Sequence, residues 1–285
     1  MRVFITGGTG YLGQALLRLA PSWVQAIGAS YHRQPPGPYP AEWVALDIRD
    51  GAGVEAALRR LAPQVVIHTA YSKADLAGAI VEGSAHVAQA CRRVGARLLH
   101  LSTDQVFDGK KPPYAETAPP NPLTPYGQAK LEAERRVGAI LPEATIVRTS
   151  LIWGLDPLDP TSQMVLELAD GRRFGGLFHD EVRSFVFVDD LARALWELAE
   201  RPCSGLLHLG GAEALSRLEF GRRIAPLFGR DPARLPALSL DEFPEPRPKN
   251  CTLDSTKART LLQTRLRGVG EVLQGLAQGQ PEPDP

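Results

Sequence analysis

Along the first 150 residues, short runs that are apolar at nearly every position alternate with longer stretches whose apolar residues recur every three or four. The runs are Arg2–Thr6, Trp23–Ala29, Trp43–Leu46, Gln64–Thr69, Arg97–Leu101 and Thr145–Arg148. The periodic stretches are Tyr11–Leu19, Val54–Leu61, Leu76–Val94 and Thr124–Ile140. A continuously apolar strand has both faces buried. A helix between two such strands carries the chain back for parallel pairing. The pattern predicts an α/β protein with a Rossmann-type doubly wound parallel sheet.

After residue 150 the alternation loosens. Gly154–Thr161 and Phe243–Lys249 are rich in proline and read as loops. Ser184–Val188 reads as a strand running into a strong helix, Asp189–Glu200. Leu206–Leu209 reads as a strand returning to the main sheet, and Ser216 as the cap of a helix to Phe228. The division this predicts is a first domain over residues 1–150 and a smaller C-terminal region over 151–285. The tail from Gln278 to Pro285 is expected to fray.

Composition narrows the function classes. The 285 residues are 44% hydrophobic, enough for a sizeable core, and 32 basic residues balance 32 acidic ones. No net charge draws the chain to nucleic acid or an acidic membrane surface. Cys91, Cys203 and Cys251 are too sparse for a disulfide framework or a zinc site, and they fit a reducing cytoplasm. The strand-like RVFIT directly after Met1 leaves no room for a signal peptide. No apolar run reaches membrane-spanning length.

The first predicted strand runs straight into TGGTGYLG. Gly7, Gly10 and Gly13 sit where a tight strand-to-helix turn needs residues without Cβ and where a pyrophosphate must approach the backbone. The helix that opens at Tyr11, Leu12 and Gly13 offers free N–H groups and the positive end of its dipole. This spacing in this position predicts dinucleotide binding. An NAD site usually carries an acidic residue at the end of the second strand, for the ribose 2′-OH. Here the residues are Ser30-Tyr31-His32-Arg33, without a carboxylate. Arg33 can pair with a 2′-phosphate, which favours NADP(H); otherwise it is a solvated loop residue. Asp47, followed by Ile48, ends the third strand. It can meet the adenine amino group, cap the next helix, or do both.

Two further stretches look like halves of one site. HLSTDQVFDG, residues 100–109, breaks from an apolar strand into Ser102, Thr103, Asp104 and Gln105. PLTPYGQAK, residues 122–130, places Tyr126 and Lys130 four apart, hence on one helix face. An ammonium near a phenol favours phenolate and lowers its pKa, and a tyrosine so tuned can exchange a proton with a carbonyl oxygen. A YxxxK spacing alone is weak. Here it follows the strand whose end faces the same crevice as the glycine loop. His68 and His100, inside apolar strands, read as satisfied structural histidines.

With these residues in view, the chain resembles the extended short-chain dehydrogenases/reductases. Within them it is most similar to the dTDP-4-dehydrorhamnose reductases and related sugar-nucleotide reductases. The resemblance rests on TGGTGYLG, LDIRD, VIHTAY, LSTDQVFDG, PLTPYGQAK and RPKNCTLDSTKA, which together span nearly the whole chain. The family pattern STDYVFDG appears here with Gln105 in place of Tyr. The resemblance implies that Thr103 hydrogen-bonds the substrate carbonyl or leaving oxygen and that Tyr126 donates the proton. Lys130 holds the nicotinamide ribose and tunes Tyr126. Ala70 and Tyr71 line the cofactor, and Asp104 contacts substrate. Trp153, in VRTSLIWG, would also contact substrate, although the family's Trp falls earlier in that stretch. Lys73 and Arg183 stand as candidates for a substrate phosphate or sugar, against a solvated-loop reading for each. Residues 1–150 then form an NADP-binding domain and 151–285 mainly a substrate-binding region. The expected partner is a small sugar-nucleotide substrate, with a homodimer allowed.

The expected reaction is NADPH-dependent reduction of the 4-keto group of a nucleotide-linked 6-deoxy sugar. One alternative is an epimerase or dehydratase that retains NAD. In the nucleotide-sugar 4,6-dehydratases the residues after the active-site Thr resemble Asp-Glu. Here they are Asp104-Gln105, and an amide cannot exchange a proton at neutral pH. A second alternative is a catalytically silent, NADP-binding regulatory subunit, resembling the methionine adenosyltransferase β subunits.

Overall fold

The computed structural model describes residues 1–33 and 36–278. Seven parallel strands form the main sheet: β1 (Arg2–Thr6), β2 (Ala26–Tyr31), β3 (Glu42–Ala45), β4 (Val65–His68), β5 (Arg97–Thr103), β6 (Thr145–Thr149) and β7 (Gly205–Leu209). Their order across the sheet is β7-β6-β5-β4-β1-β2-β3. The order reverses between β1 and β4. In such sheets a ligand crevice opens beyond the carboxyl ends of the strands at that switch point.

Alternate strand residues feed two apolar layers. Val3, Ile5, Val65, Ile67, Leu99 and Leu101 face α1 (Tyr11–Arg18) and the helix Val188–Glu200. Phe4, Val66 and Leu98 face α2 (Gly51–Leu61), α3 (Gly83–Val94) and α4 (Pro125–Ile140). The C-terminal region is therefore shared: β7 and Val188–Glu200 complete the first layer, while Trp153, Phe185, Phe187 and Phe220 build a separate core. Among the described residues, three two-stranded sheets lie around that core.

Several boundaries differ from the pattern-based expectation, each for a local reason. β2 begins at Ala26, and Trp23 instead packs edge-on against Trp196, 5.9 Å between centroids. α2 starts three residues before Val54 because the Asp50 carboxylate accepts from the Gly53 amide at 3.0 Å and caps the helix. Leu76–Val94 is not one regular helix. Its first seven residues, Leu76–Glu82, form a wider π-helical turn capped by Asp75. Ser184–Val188 is split between two short strands, Val182–Ser184 and Val186–Phe187, which pair with different partners. Ser216 caps its helix in a reciprocal box with Glu219, but the α-helix stops at Ile224 and tightens to 3₁₀ at Ala225–Phe228. Pro226 lacks the N–H that would continue it. The expected fraying beyond Gln278 falls on residues 279–285, outside the described residues.

Candidate active site

A cleft of about 520 Å³ opens at the switch point, lined by Gly7, Gly10, Arg33, Asp47, Ile48, Ala70 and Tyr71 among others. Two glycines shape its floor. Gly7 has φ +73°, and a Cβ there would lie 3.0 Å from the Ala70 backbone. A Cβ on Gly13 would lie 2.2 Å from the Gly7 carbonyl, so α1 can close onto the loop only without one. Gly10, at the N-cap of α1, has no side chain to cap the first turn. The amides of Tyr11, Leu12 and Gly13 thus begin a helix end suited to an anion. The Tyr11 side chain turns away. Its hydroxyl donates to the Pro157 carbonyl at 3.0 Å, tying α1 to the C-terminal region.

The end of the cleft lined by Arg33 and Asp47 is polar and exposed. Arg33 makes no hydrogen bond or ion pair among the described residues. Asp47 is no helix cap, since Asp50 takes that place. The Arg49 side chain donates to both Asp47 oxygens at 2.6–3.0 Å. Those bonds hold the Asp47 carboxyl down at about 2. Arg49 also reaches Asp75 at 3.1 Å, spanning the cleft mouth. Motif reading missed Arg49, Asp75 and Ser30. Ser30 accepts from the Gly7 amide at 2.9 Å, and its place at the end of β2 was the available signal.

At the other end, Thr103, Tyr126 and Lys130 come together. Thr124 caps α4 by accepting from the Gly127 amide at 3.1 Å, and Pro125 sits in the first turn. A Cβ on Gly127 would stand 2.2 Å from the Gln105 carbonyl, so α4 packs its first turn directly on the turn that follows β5. That contact sets Tyr126 beside Thr103. The Lys130 ammonium is buried, donates to the Leu101 carbonyl at 2.9 Å and lies 5.2 Å from the centre of the Tyr71 ring. Burial pulls its pKa down to about 8, with Glu134 opposing. The Tyr71 and Tyr126 rings are 6.2 Å apart, which joins this corner to the cleft.

The electrostatics of Tyr126 correct one expectation. Its phenol is pushed above its ordinary range, by burial first and then by Tyr71 and Asp104, while Arg183 and a hydrogen bond with Thr103 oppose. Burial outweighs the nearby positive charge, so the tyrosine holds its proton at neutral pH. That is the state a proton donor requires.

Two residues expected to contact substrate are buried and engaged by the protein itself. Trp153 is fully buried, 5.1 Å from the Phe187 ring and 5.7 Å from Phe220, because its short strand points it into the C-terminal core. The apolar Leu151-Ile152 beside it was the signal. Asp104 is 0% exposed. Arg183 Nε donates to its Oδ2 at 2.7 Å, a second Arg183 nitrogen holds Oδ1, and Ser150 donates to Oδ2 at 2.5 Å. Arg183 in turn pairs with Glu181, and Glu181 with Arg217. This buried chain braces the end of β5 against the C-terminal region. A second brace ties Ser102 to the buried Glu134–Arg148 pair. His68 is bonded through both ring nitrogens, to Thr6 and Ser84, and burial holds it neutral. His100 departs from that reading. Neither of its ring nitrogens has a partner among the described residues, for its cross-strand neighbour His68 is already engaged.

The sequence profile of the RmlD substrate binding domain family matches residues 1–278. A dTDP-4-dehydrorhamnose reductase from Mycobacterium tuberculosis is 34% identical over 264 residues, covering 87% of this chain and 83% of that protein. Methionine adenosyltransferase 2 subunit beta from Xenopus tropicalis is 30% identical over 276 residues, covering 90% of this chain and 81% of that one. Among solved structures, dTDP-4-dehydrorhamnose reductase from Bacillus anthracis, in complex with NADP, superposes with a TM-score of 0.79 at 25% identity, covering 98% and 99% of the two chains.

Proposed function

Because the chain belongs to the RmlD substrate binding domain family, we propose that it is an NADPH-dependent reductase of the 4-keto group of a nucleotide-linked 6-deoxy sugar. The observation that carries this reading is the meeting of Thr103, Tyr126 and Lys130 at the end of β5, next to the glycine-floored cleft. NADPH fits that cleft: uncapped amides at the start of α1 for the pyrophosphate, and Arg33 without a carboxylate partner for the 2′-phosphate. Bound there, it supplies a hydride. Thr103 orients the keto oxygen, and neutral Tyr126 protonates that oxygen as the alcohol forms. Lys130, whose ammonium donates to the Leu101 carbonyl, would hold the nicotinamide ribose.

The dehydratase alternative loses further ground. Its acid–base work needs free carboxylates beside the sugar, and Asp104 is locked to Arg183 while Gln105 has none to offer. The regulatory-subunit alternative has one observation in its favour, the identity to methionine adenosyltransferase 2 subunit beta.

Purified protein incubated with NADPH and a dTDP-4-keto-6-deoxyhexose tests the proposal. NADPH oxidation with formation of the 4-hydroxy sugar is expected, and no 4-keto product from dTDP-glucose. Absence of turnover, with stable capture of a methionine adenosyltransferase catalytic subunit, would replace it with the regulatory reading.

A further inference from the structure

Ser72 and Ala74 line the cofactor cleft, but Lys73 between them does not. Its ammonium instead lies over Tyr126, 5.1 Å from the ring centre. Lys73 makes no ion pair or hydrogen bond among the described residues. It is solvent-accessible, unlike Lys130. The two lysines therefore differ: Lys130 is committed to the Leu101 carbonyl, whereas Lys73 lies uncommitted over the Tyr126 ring.

The surroundings of Lys73 are basic. Desolvation, then the charges of Arg217, Arg183 and Arg247, pull its ammonium below the ordinary range, with Glu181 opposing. Arg183 is neutralised by Asp104, and Arg217 by Glu181. Arg247 stacks over Phe178 and Phe243, at 5.8 and 5.9 Å, without a carboxylate partner among the described residues. Four cations against two carboxylates leave the positive charges of Lys73 and Arg247 unbalanced. Like charges held this close repel unless an anion joins them.

We propose that Lys73 over Tyr126, together with the Arg247 guanidinium over Phe178 and Phe243, is the anion subsite that binds the diphosphate of the sugar-nucleotide substrate and so sets the reach of its sugar to Tyr126. The inference rests on the reductase reading for its substrate class. A diphosphate also occurs in NADPH, so the test must separate the two.

Calorimetric titration of the NADP⁺-saturated protein with dTDP, and with thymidine as a phosphate-free control, reads the subsite directly. Lys73→Ala should weaken dTDP by about tenfold or more, as expected for a lost charge-assisted contact. It should leave NADPH affinity and the thymidine response as they are, and Lys73→Arg should restore dTDP binding. Equal dTDP affinity in wild type and Lys73→Ala, or no dTDP binding by wild type, would overturn the proposal. So would a loss that falls on NADPH instead. If dTDP binding depends on Lys73 but no keto sugar nucleotide is reduced, the subsite stands and the reductase reading fails. If turnover is present and its KM is indifferent to Lys73→Ala, the reverse holds.

Discussion

Asp47 and Asp104 each hold an arginine, in opposite surroundings. Asp47 and Arg49 meet at the cleft mouth with side chains 30% and 45% exposed. Asp104 and Arg183 meet with side chains 0% and 2% exposed. The first pair is screened by water, contributes little to stability and is free to exchange partners. The second has lost its water, so each partner depends on the other and on the hydroxyl and carboxylate around them. The difference divides the site by task. The glycine-floored end, proposed for the nucleotide, offers backbone amides and adaptable side chains. The reacting end is fixed before any ligand enters, because a proton donor misplaced by an ångström loses much of its effect.

The contrast is broken most severely by Arg183→Met. Leaving Asp104 buried and uncompensated should cost roughly 3–5 kcal/mol of folding stability. Urea unfolding measures it, and a loss below about 1 kcal/mol would place this pair with surface pairs. Arg49→Ala, the matched change at the other end, should leave the urea midpoint nearly where it was.

Lys130 sharpens the comparison through pH. Its folded pKa, about 8, lies below the ordinary lysine value. The ammonium is therefore present below about 8 and lost as pH rises through it. Turnover with subsaturating NADPH should fall on the alkaline side with an apparent pKa near 8. That limb should be absent from the residual activity of Lys130→Ala. A wild-type profile flat to pH 10 would contradict the burial of a working ammonium.

The smallest effect is expected at the exposed end. Arg33→Ala should weaken NADPH by about tenfold, one charge-assisted contact, and barely change NADH. Equal losses for both cofactors would make Arg33 a bystander.

What could be read from sequence follows the range of the interactions. The glycine turn and the placing of Tyr126 and Lys130 on one helix are local, set within one turn or one helix. The seven-strand sheet is legible because its strands are apolar on both faces. The ion-pair partner of Asp104, Arg183, lies 79 residues away, and no local pattern reports such a pairing. The place of Trp153 depends on Phe187 and Phe220, which arrive from other elements. The direction of the Tyr126 shift depends on how deeply α4 seats against the turn after β5, and Gly127 controls that through a contact with Gln105.

The central claim is that Tyr126 gives its proton to the keto oxygen. Single-turnover NADPH oxidation by Tyr126→Phe, with a dTDP-4-keto-6-deoxyhexose saturating, tests it most directly. The ring and its packing remain while the proton is gone. The expected result is a rate at least about a hundredfold below wild type, the scale of a lost general acid, with NADPH affinity unchanged. A rate within a few-fold of wild type would contradict the account.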